Sequence, residues 1–431
     1  MTENNDKKVT RSKGYFRYMI FILIFVQILD AYTTSYTAAF PSKIIEEFLS
    51  EYSANEANSI MALSVGIATV GMYFVFVNQY LADKFGRKLM LFVTTLGMGA
   101  SALLLALSTS IIQYTIFLFM TYLFFSSDMW LIYVNEEAEP KKRALYTNIL
   151  MAGGIMGPIL MPIFRSIFIT ETSPVGAWRG MTLFPIFLGI PLAIVIILTF
   201  KETSKYEEMK KGQLEESEVQ TSILLKDNIK ALFTTARRKE IIVLYVISYL
   251  LGLNFILLQL GESFIASAPN MRESQVNIII LIIALSVIIG YLLTGVIADK
   301  IGRIPLLYAC SILLPLSTLI LFYGVTTSGG IFIIVVLGIA MGYVAYDSLH
   351  IVLRIIIMEV VPTDRRGTGS GLRALITAIG ITSGFLIGSL ITLFFGLGVA
   401  FIVMSIPLLA NIFLIRAFVK ETKGTDLGMV K

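Results

Sequence analysis

Twelve apolar runs, each about 20 residues or longer, leave this chain little choice of fold. Inside a bilayer the backbone has no water to bond, so a run of that length can cross only as a helix that satisfies its own N–H and C=O groups. The runs fall at 16–40, 57–81, 89–108, 111–135, 147–169, 180–200, 241–265, 276–298, 304–324, 331–357, 371–395 and 397–419. Ser108-Thr109-Ser110 and Gly396-Leu397-Gly398 join neighbouring runs by turns so short that the helices they link must be antiparallel. Composition agrees. Of 431 residues, 56% are hydrophobic and 15% charged, more apolar surface than a water-soluble protein of this size can hide. The expected fold is an all-α membrane protein of twelve transmembrane helices in two pseudo-symmetric six-helix bundles.

Basic residues in short loops set the orientation. Lys7, Lys8, Arg11 and Lys13 precede the first run, and Lys84, Arg87, Lys88, Lys141, Lys142, Arg143, Lys300, Arg303, Arg365 and Arg366 fill every second loop. The alternate loops hold mainly Lys43, Arg179 and Arg272. Both termini are therefore expected in the cytoplasm, with the chain a multi-pass protein of the cell membrane. The net charge of +5 belongs to this topology and not to a nucleic-acid partner. One cysteine, Cys310, and one histidine, His350, rule out a disulfide framework and a Cys/His metal site. No phosphate-binding Gly-rich loop ending in Lys-Ser/Thr and no nucleophile–base set occurs, so neither an enzyme nor a bound cofactor is expected. Met1 to Lys13 carries no signal-peptide pattern, which makes the first run a retained span. The expected organisation is a tail (1–14), a first bundle (15–200), a Glu- and Lys-rich cytoplasmic linker (201–239), a second bundle (240–419) and a second tail (420–431).

The two halves repeat one another. Leu81-Ala82-Asp83-Lys84-Phe85-Gly86-Arg87-Lys88 returns as Ile297-Ala298-Asp299-Lys300-Ile301-Gly302-Arg303-Ile304, at an offset of 216. Glu137-Ala138-Glu139-Pro140-Lys141-Lys142-Arg143 pairs with Glu359-Val360-Val361-Pro362-Thr363-Asp364-Arg365 at 222, and Lys201-Glu202-Thr203 with Lys420-Glu421-Thr422 at 219. Three loop motifs in the same order describe a duplicated transporter whose parallel halves rock about a central site.

These loops resemble those of the major facilitator superfamily, and within it the sugar porters and metabolite–proton symporters. The stretch 81–88 is similar to its Gly-x-Leu-Ala-Asp-x-x-Gly-Arg-Arg motif, with Asn78 where glycine is usual. Glu137 to Arg143 and Glu359 to Arg365 resemble the Glu-x-x-Pro-x-x-x-Arg loops. Gly176-Ala177-Trp178-Arg179 resembles the Trp-Arg that opens the sixth span, and Lys420 to Gly424 resembles Pro-Glu-Thr-Lys-Gly. Asp83, Arg87, Glu137 and Arg143, mirrored by Asp299, Arg303, Glu359 and Arg365, are then expected to gate the cytoplasmic side, with Glu137 the first choice of partner for Arg87. Gly153-Gly154-Ile155-Met156-Gly157-Pro158 resembles a motif of antiporters, although small residues at this spacing also let two helices approach closely.

Ionisable groups at membrane depth are costly and are functional candidates. Asp30, in Gln27-Ile28-Leu29-Asp30-Ala31-Tyr32-Thr33, is similar to the first acid of the Leu-Asp-Gly-Tyr/Phe-Asp stretch of metabolite–proton symporters, which implies proton coupling. A structural Asp bonded to Thr33 or Thr34 is the alternative. Asp128 in the fourth run, and Asp347, His350 and Arg354 along one face of the tenth, form a candidate relay or polar-substrate site; helix-stitching ion pairs would explain them equally well. Gln27, Asn254 and Gln259 could bond a substrate, and Tyr32, Trp130 and Tyr346 could stack on one. Arg165 and Glu262 near the outer ends fit gate or interface roles. The expected function is a secondary transporter, a monomer, that takes up a sugar or organic acid with protons. Drug or metabolite efflux by antiport and transporter-like nutrient sensing are its rivals.

Overall fold

The computed structural model describes residues 11–124, 129–139, 142–207, 230, 232–327, 330–362 and 365–423. Among the described residues, twelve helices are long and apolar enough to cross a membrane. In chain order they are α1 (Lys13–Ala39), α2 (Ala54–Phe74), α3 (Arg87–Ala106), α4 (Ile111–Glu137), α5 (Leu145–Phe168), α6 (Val175–Thr199), α7 (Arg238–Ala266), α8 (Glu273–Ile301), α9 (Arg303–Thr326), α10 (Phe332–Val360), α11 (Arg366–Phe395) and α12 (Leu397–Phe418). No strand occurs among the described residues. Most helices of the second half run longer than their apolar runs, with 29 residues in both α8 and α10 and 30 in α11. Hydrophobicity stops where the hydrocarbon stops, whereas the helical hydrogen bonds carry on into the interfacial layer. A short helix that the apolar pattern does not announce, Pro41–Phe48, follows α1 with proline in its first turn.

The two halves use the same close crossing. In the first, α5 lies against α1 at Gly157, where an added Cβ would stand 2.5 Å from the Tyr32 backbone nitrogen. In the second, α11 lies against α7 at Gly380, where an added Cβ would stand 2.3 Å from the Tyr249 carbonyl oxygen. Only glycine permits backbones this close, the usual device for helix packing in lipid.

Even numbers of crossings return each half to its starting side. Arg11 donates to the Glu202 carbonyl at 2.6 Å, and the Lys420 N–H to Glu240 at 3.1 Å, so the described residues that open and close each half lie together, at what is here the basic end. The bundles meet along α2 and α11 and along α5 and α8, in the half of the molecule away from the termini. Ser59 donates to the Ser389 carbonyl at 2.8 Å, and the hydroxyls of Thr69 and Thr382 share a 2.9 Å bond. Towards the basic end, Gly295 of α8 and Gly367 of α11 face open space. The bundles are thus held together at the far end, where the Ser59 and Thr69 bonds cross between them.

Candidate functional site

The three repeated loop motifs converge on one cluster in each half. Gly86 and Gly302 hold φ of +110° and +106°, a backbone region that side-chain-bearing residues rarely adopt. The turn each makes aims the first N–H groups of α3 and α9 at a carboxylate. Glu202 accepts from the N–H of Arg87 (3.0 Å) and Lys88 (3.1 Å), and Glu421 from Arg303 and Ile304 (both 3.0 Å). Anions favour helix N-termini, so each half's last motif caps that half's third helix. Arg87 then bridges Asp83 (2.8 Å) and Glu136 (3.3 Å), and Arg303 bridges Asp299 (3.2 Å) and Glu359 (2.9 Å). Thr203 donates to Glu136 as Thr422 does to Glu359.

One expectation changes here. The partner of Arg87 is Glu136 and not Glu137, because the next helical position is turned about 100° away; Glu137 instead accepts from the Ser204 N–H and lies 4.0 Å from Arg11. The structural counterpart of Glu359 is therefore Glu136. Each cluster also ties helices of its own half. Arg143 donates to the Ala138 carbonyl, again within its half, and Arg365 forms the N-cap of α11.

Charged links between the halves gather at the far end. Arg165 of α5, wholly buried, donates to the Ala39 carbonyl (2.5 Å), to Glu262 of α7 (2.7 Å), to Glu273 of α8 (3.3 Å) and to Asn277. Glu262, also buried, accepts from the N–H and hydroxyl of Ser42, and Lys43 meets Glu273 at 2.6 Å. Glu171 caps the start of α8 through Ser274. The acids here belong mostly to the second half and the cations to the first, so the network is a seam between bundles.

Between seam and basic end lie the polar groups at membrane depth. In the first half, Asp30 is 7% exposed on α1, one turn from Gln27 and Thr33; the Gln27 Oε1, the Thr33 hydroxyl and the Trp130 indole N–H are buried without hydrogen-bond partners. Buried orphans of this kind mark a place where water, a proton or a ligand completes the bonding. Asp128 lies outside the described residues. In the second half, α9 packs on the Gly338–Gly342 face of α10, and His350 and Arg354 lie on the side turned away from it. Asp347 sits beside Gly290 of α8 with its Oδ2 unpartnered. The charges of Arg354 and of Arg373 on α11 both act on His350.

The sequence profile of the Major Facilitator Superfamily matches residues 20–345 and, in a second match, 242–427. The chain belongs to the Major Facilitator Superfamily. As a member it is a multi-pass membrane transporter of a small molecule and not an enzyme. No curated protein sequence matches it significantly. Among solved structures it is similar to a D-xylose-proton symporter (TM-score 0.74, 16% identity, 96% of this chain and 100% of that one). It is similar also to the nucleoside transporter NupG (0.72, 16%, 94% and 100%). A third likeness is to a bacterial homologue of the human lysosomal transporter Spinster (0.71, 13%, 96% and 100%). At such identities these likenesses concern the fold.

Within this superfamily fold the remaining candidates sort by their surroundings. Tyr32 is fully buried, donates to the Met181 carbonyl at 2.9 Å and packs against Tyr36, Phe164 and Phe184, which makes it part of the first bundle's core. Asn254 stands at a break in α7, between Arg238–Leu253 and Phe255–Ala266, and donates to the Leu250 carbonyl. Gln259 is buried in α7, and Tyr346 lies against Phe255 at a ring separation of 6.1 Å. Asn78, at the family's glycine position, donates to the Leu123 carbonyl at 2.9 Å and so ties the extension of α2 to α4. Arg373 was not among the candidates. Its only sequence signal is a cation in the first turn of an apolar run, and such a residue reads as one that snorkels to the interface.

The caps at the basic end titrate in a defined direction. Burial works against its charge, yet N–H groups of Arg303, Ile304, Lys423 and Thr422 hold the Glu421 carboxyl below its ordinary value. Its contribution is complete above the ordinary carboxylate range and is lost as pH falls through the lowered value. Glu421→Gln is therefore expected to melt a few degrees below wild type at neutral pH, with the gap closing below about pH 4 in a detergent-solubilised melting series.

Proposed function

We propose that this superfamily member is a proton-coupled symporter that carries a small polar metabolite, a sugar or an organic acid, by alternating access. In this reading the basic end faces the cytoplasm of a cell-membrane protein, the present state faces inward, and the rocking bodies are residues 15–200 and 240–419, linked through 201–239. The observation that carries it is Asp30: a carboxylate nine-tenths buried in α1, in line with polar atoms of Gln27 and Thr33 that have no partner in the protein. A carboxyl so placed can take a proton while the cavity faces one compartment and release it to the other. Asp347 and His350 of α10 supply a second stop for the proton in this reading. An inward proton gains about 2.3 kcal/mol per 100 mV of membrane potential, so uptake needs no nucleotide.

The test uses the purified full chain in proteoliposomes loaded with a pH-sensitive dye and challenged with sugars and organic acids. At least one compound should enter together with protons against its gradient. Asp30→Asn should reduce that concentrative uptake to the level of protein-free vesicles while leaving substrate exchange at equal pH. Concentrative uptake that survives in Asp30→Asn would remove the reading.

A further inference from the structure

We infer that the transported molecule, on the reading just given, is a small organic acid whose carboxylate is bound by Arg373 of α11 together with Arg354 of α10. The starting point is a cation that forms no ion pair among the described residues. Arg373 is 5% exposed, and its Nε and Nη1 have no hydrogen-bond partner. A guanidinium offers five N–H donors in a planar fork, and leaving it unpaired at membrane depth is costly unless something arrives to fill it.

Its surroundings sharpen the assignment. Arg354 is close enough for the two positive charges to repel, and it is exposed on the side of α10 turned away from α9. The two guanidiniums are thus within electrostatic reach of each other, one buried and one exposed. The nearest acid on α10, Asp347, forms no ion pair with either, and its Oδ2 is itself unpartnered. A site with two cations and no bound acid attracts anions strongly, and the fork matches a carboxylate through two parallel bonds. Tyr245 and Tyr346 lie near enough to Arg373 to act on its charge, with the Tyr245 hydroxyl already donating to the Gly369 carbonyl. A neutral sugar would leave Arg373 as it is now. An acid would complete it.

The experiment is a binding series on the purified full chain at constant chloride, with succinate, benzoate and glucuronate each set against an uncharged counterpart: succinamide, benzamide and glucose. At least one acid should raise the melting temperature where its neutral partner does not. Arg373→Gln should weaken that acid's Kd by about tenfold or more, with Arg373→Lys in between. Unliganded Arg373→Gln should melt at or above the wild-type temperature, because an unpaired buried charge has been removed; a purely structural arginine would give a lower one. The inference is overturned if acids and neutral partners stabilise alike, if no acid does, if added chloride reproduces the effect, or if Arg373→Gln binds as wild type. Each of these results can coexist with proton-coupled uptake that depends on Asp30, so this inference and the coupling fail separately.

Discussion

Replacing Arg165 with alanine will tip the transporter towards the state open at its far end by roughly a hundredfold to a few thousandfold. In the closed state Arg165 and Glu262 are both sealed from solvent and 2.7 Å apart, with Ser42, Asn277 and the Ala39 carbonyl completing their bonds. Removing one member of a buried pair leaves the other charged and unpaired, a penalty of about 3–5 kcal/mol, which is the stated ratio. In the open state Glu262 meets water and no such penalty arises, so the whole cost falls on one side of the equilibrium. A cysteine placed at Ser263, which is buried and donates to Asn58 across the seam at 2.8 Å, reports on it in a Cys310→Ser background. A membrane-impermeant maleimide should label that cysteine slowly in otherwise wild-type protein and rapidly once Arg165 is alanine. Equal labelling would mean that something other than this network holds the far end shut.

Gly157→Val should abolish transport and markedly lower the melting temperature. Its Cβ would stand 2.5 Å from the Tyr32 nitrogen and 2.8 Å from the Ala31 Cβ, where carbon atoms need about 3.5–4.0 Å. These obstacles are backbone and the first atom of a side chain, and neither can rotate aside. Overpacking of this kind costs about 1–3 kcal/mol or more, and relief requires α1 to move, carrying Asp30 two residues away with it. Gly295→Val in α8, where no atom lies within 4 Å, is the matched control and should keep the wild-type melting temperature. A stable, inactive Gly157→Val would instead favour a direct role for this glycine in exchange, the alternative that its resemblance to antiporters raised.

Lipid makes topology unusually legible. A segment that must satisfy every backbone group by itself advertises its length in plain hydrophobicity, and a duplicated gene repeats its loop motifs in order. What those motifs touch was readable only to within one helical position: Glu136 and Glu137 are adjacent letters on different helix faces. The seam was harder still. Arg165 and Glu262 are 97 residues apart, and nothing in either neighbourhood names the other. Arg373 was hidden for a different reason. One arginine in the first turn of an apolar run is ordinary in sequence, and only the packed helices show that its side chain stays inside with two nitrogens unused.

The paired caps have a mechanical consequence. Glu202 and Glu421 each reach back from the close of a half to the third helix of that same half, so each body is stapled at its base by its own final residues. Tilting of one body against the other then places no tension on these staples. Strain from the stroke collects at the seam, and there the hinge's stiffness is set by a handful of charges that can be tuned without disturbing either body's interior.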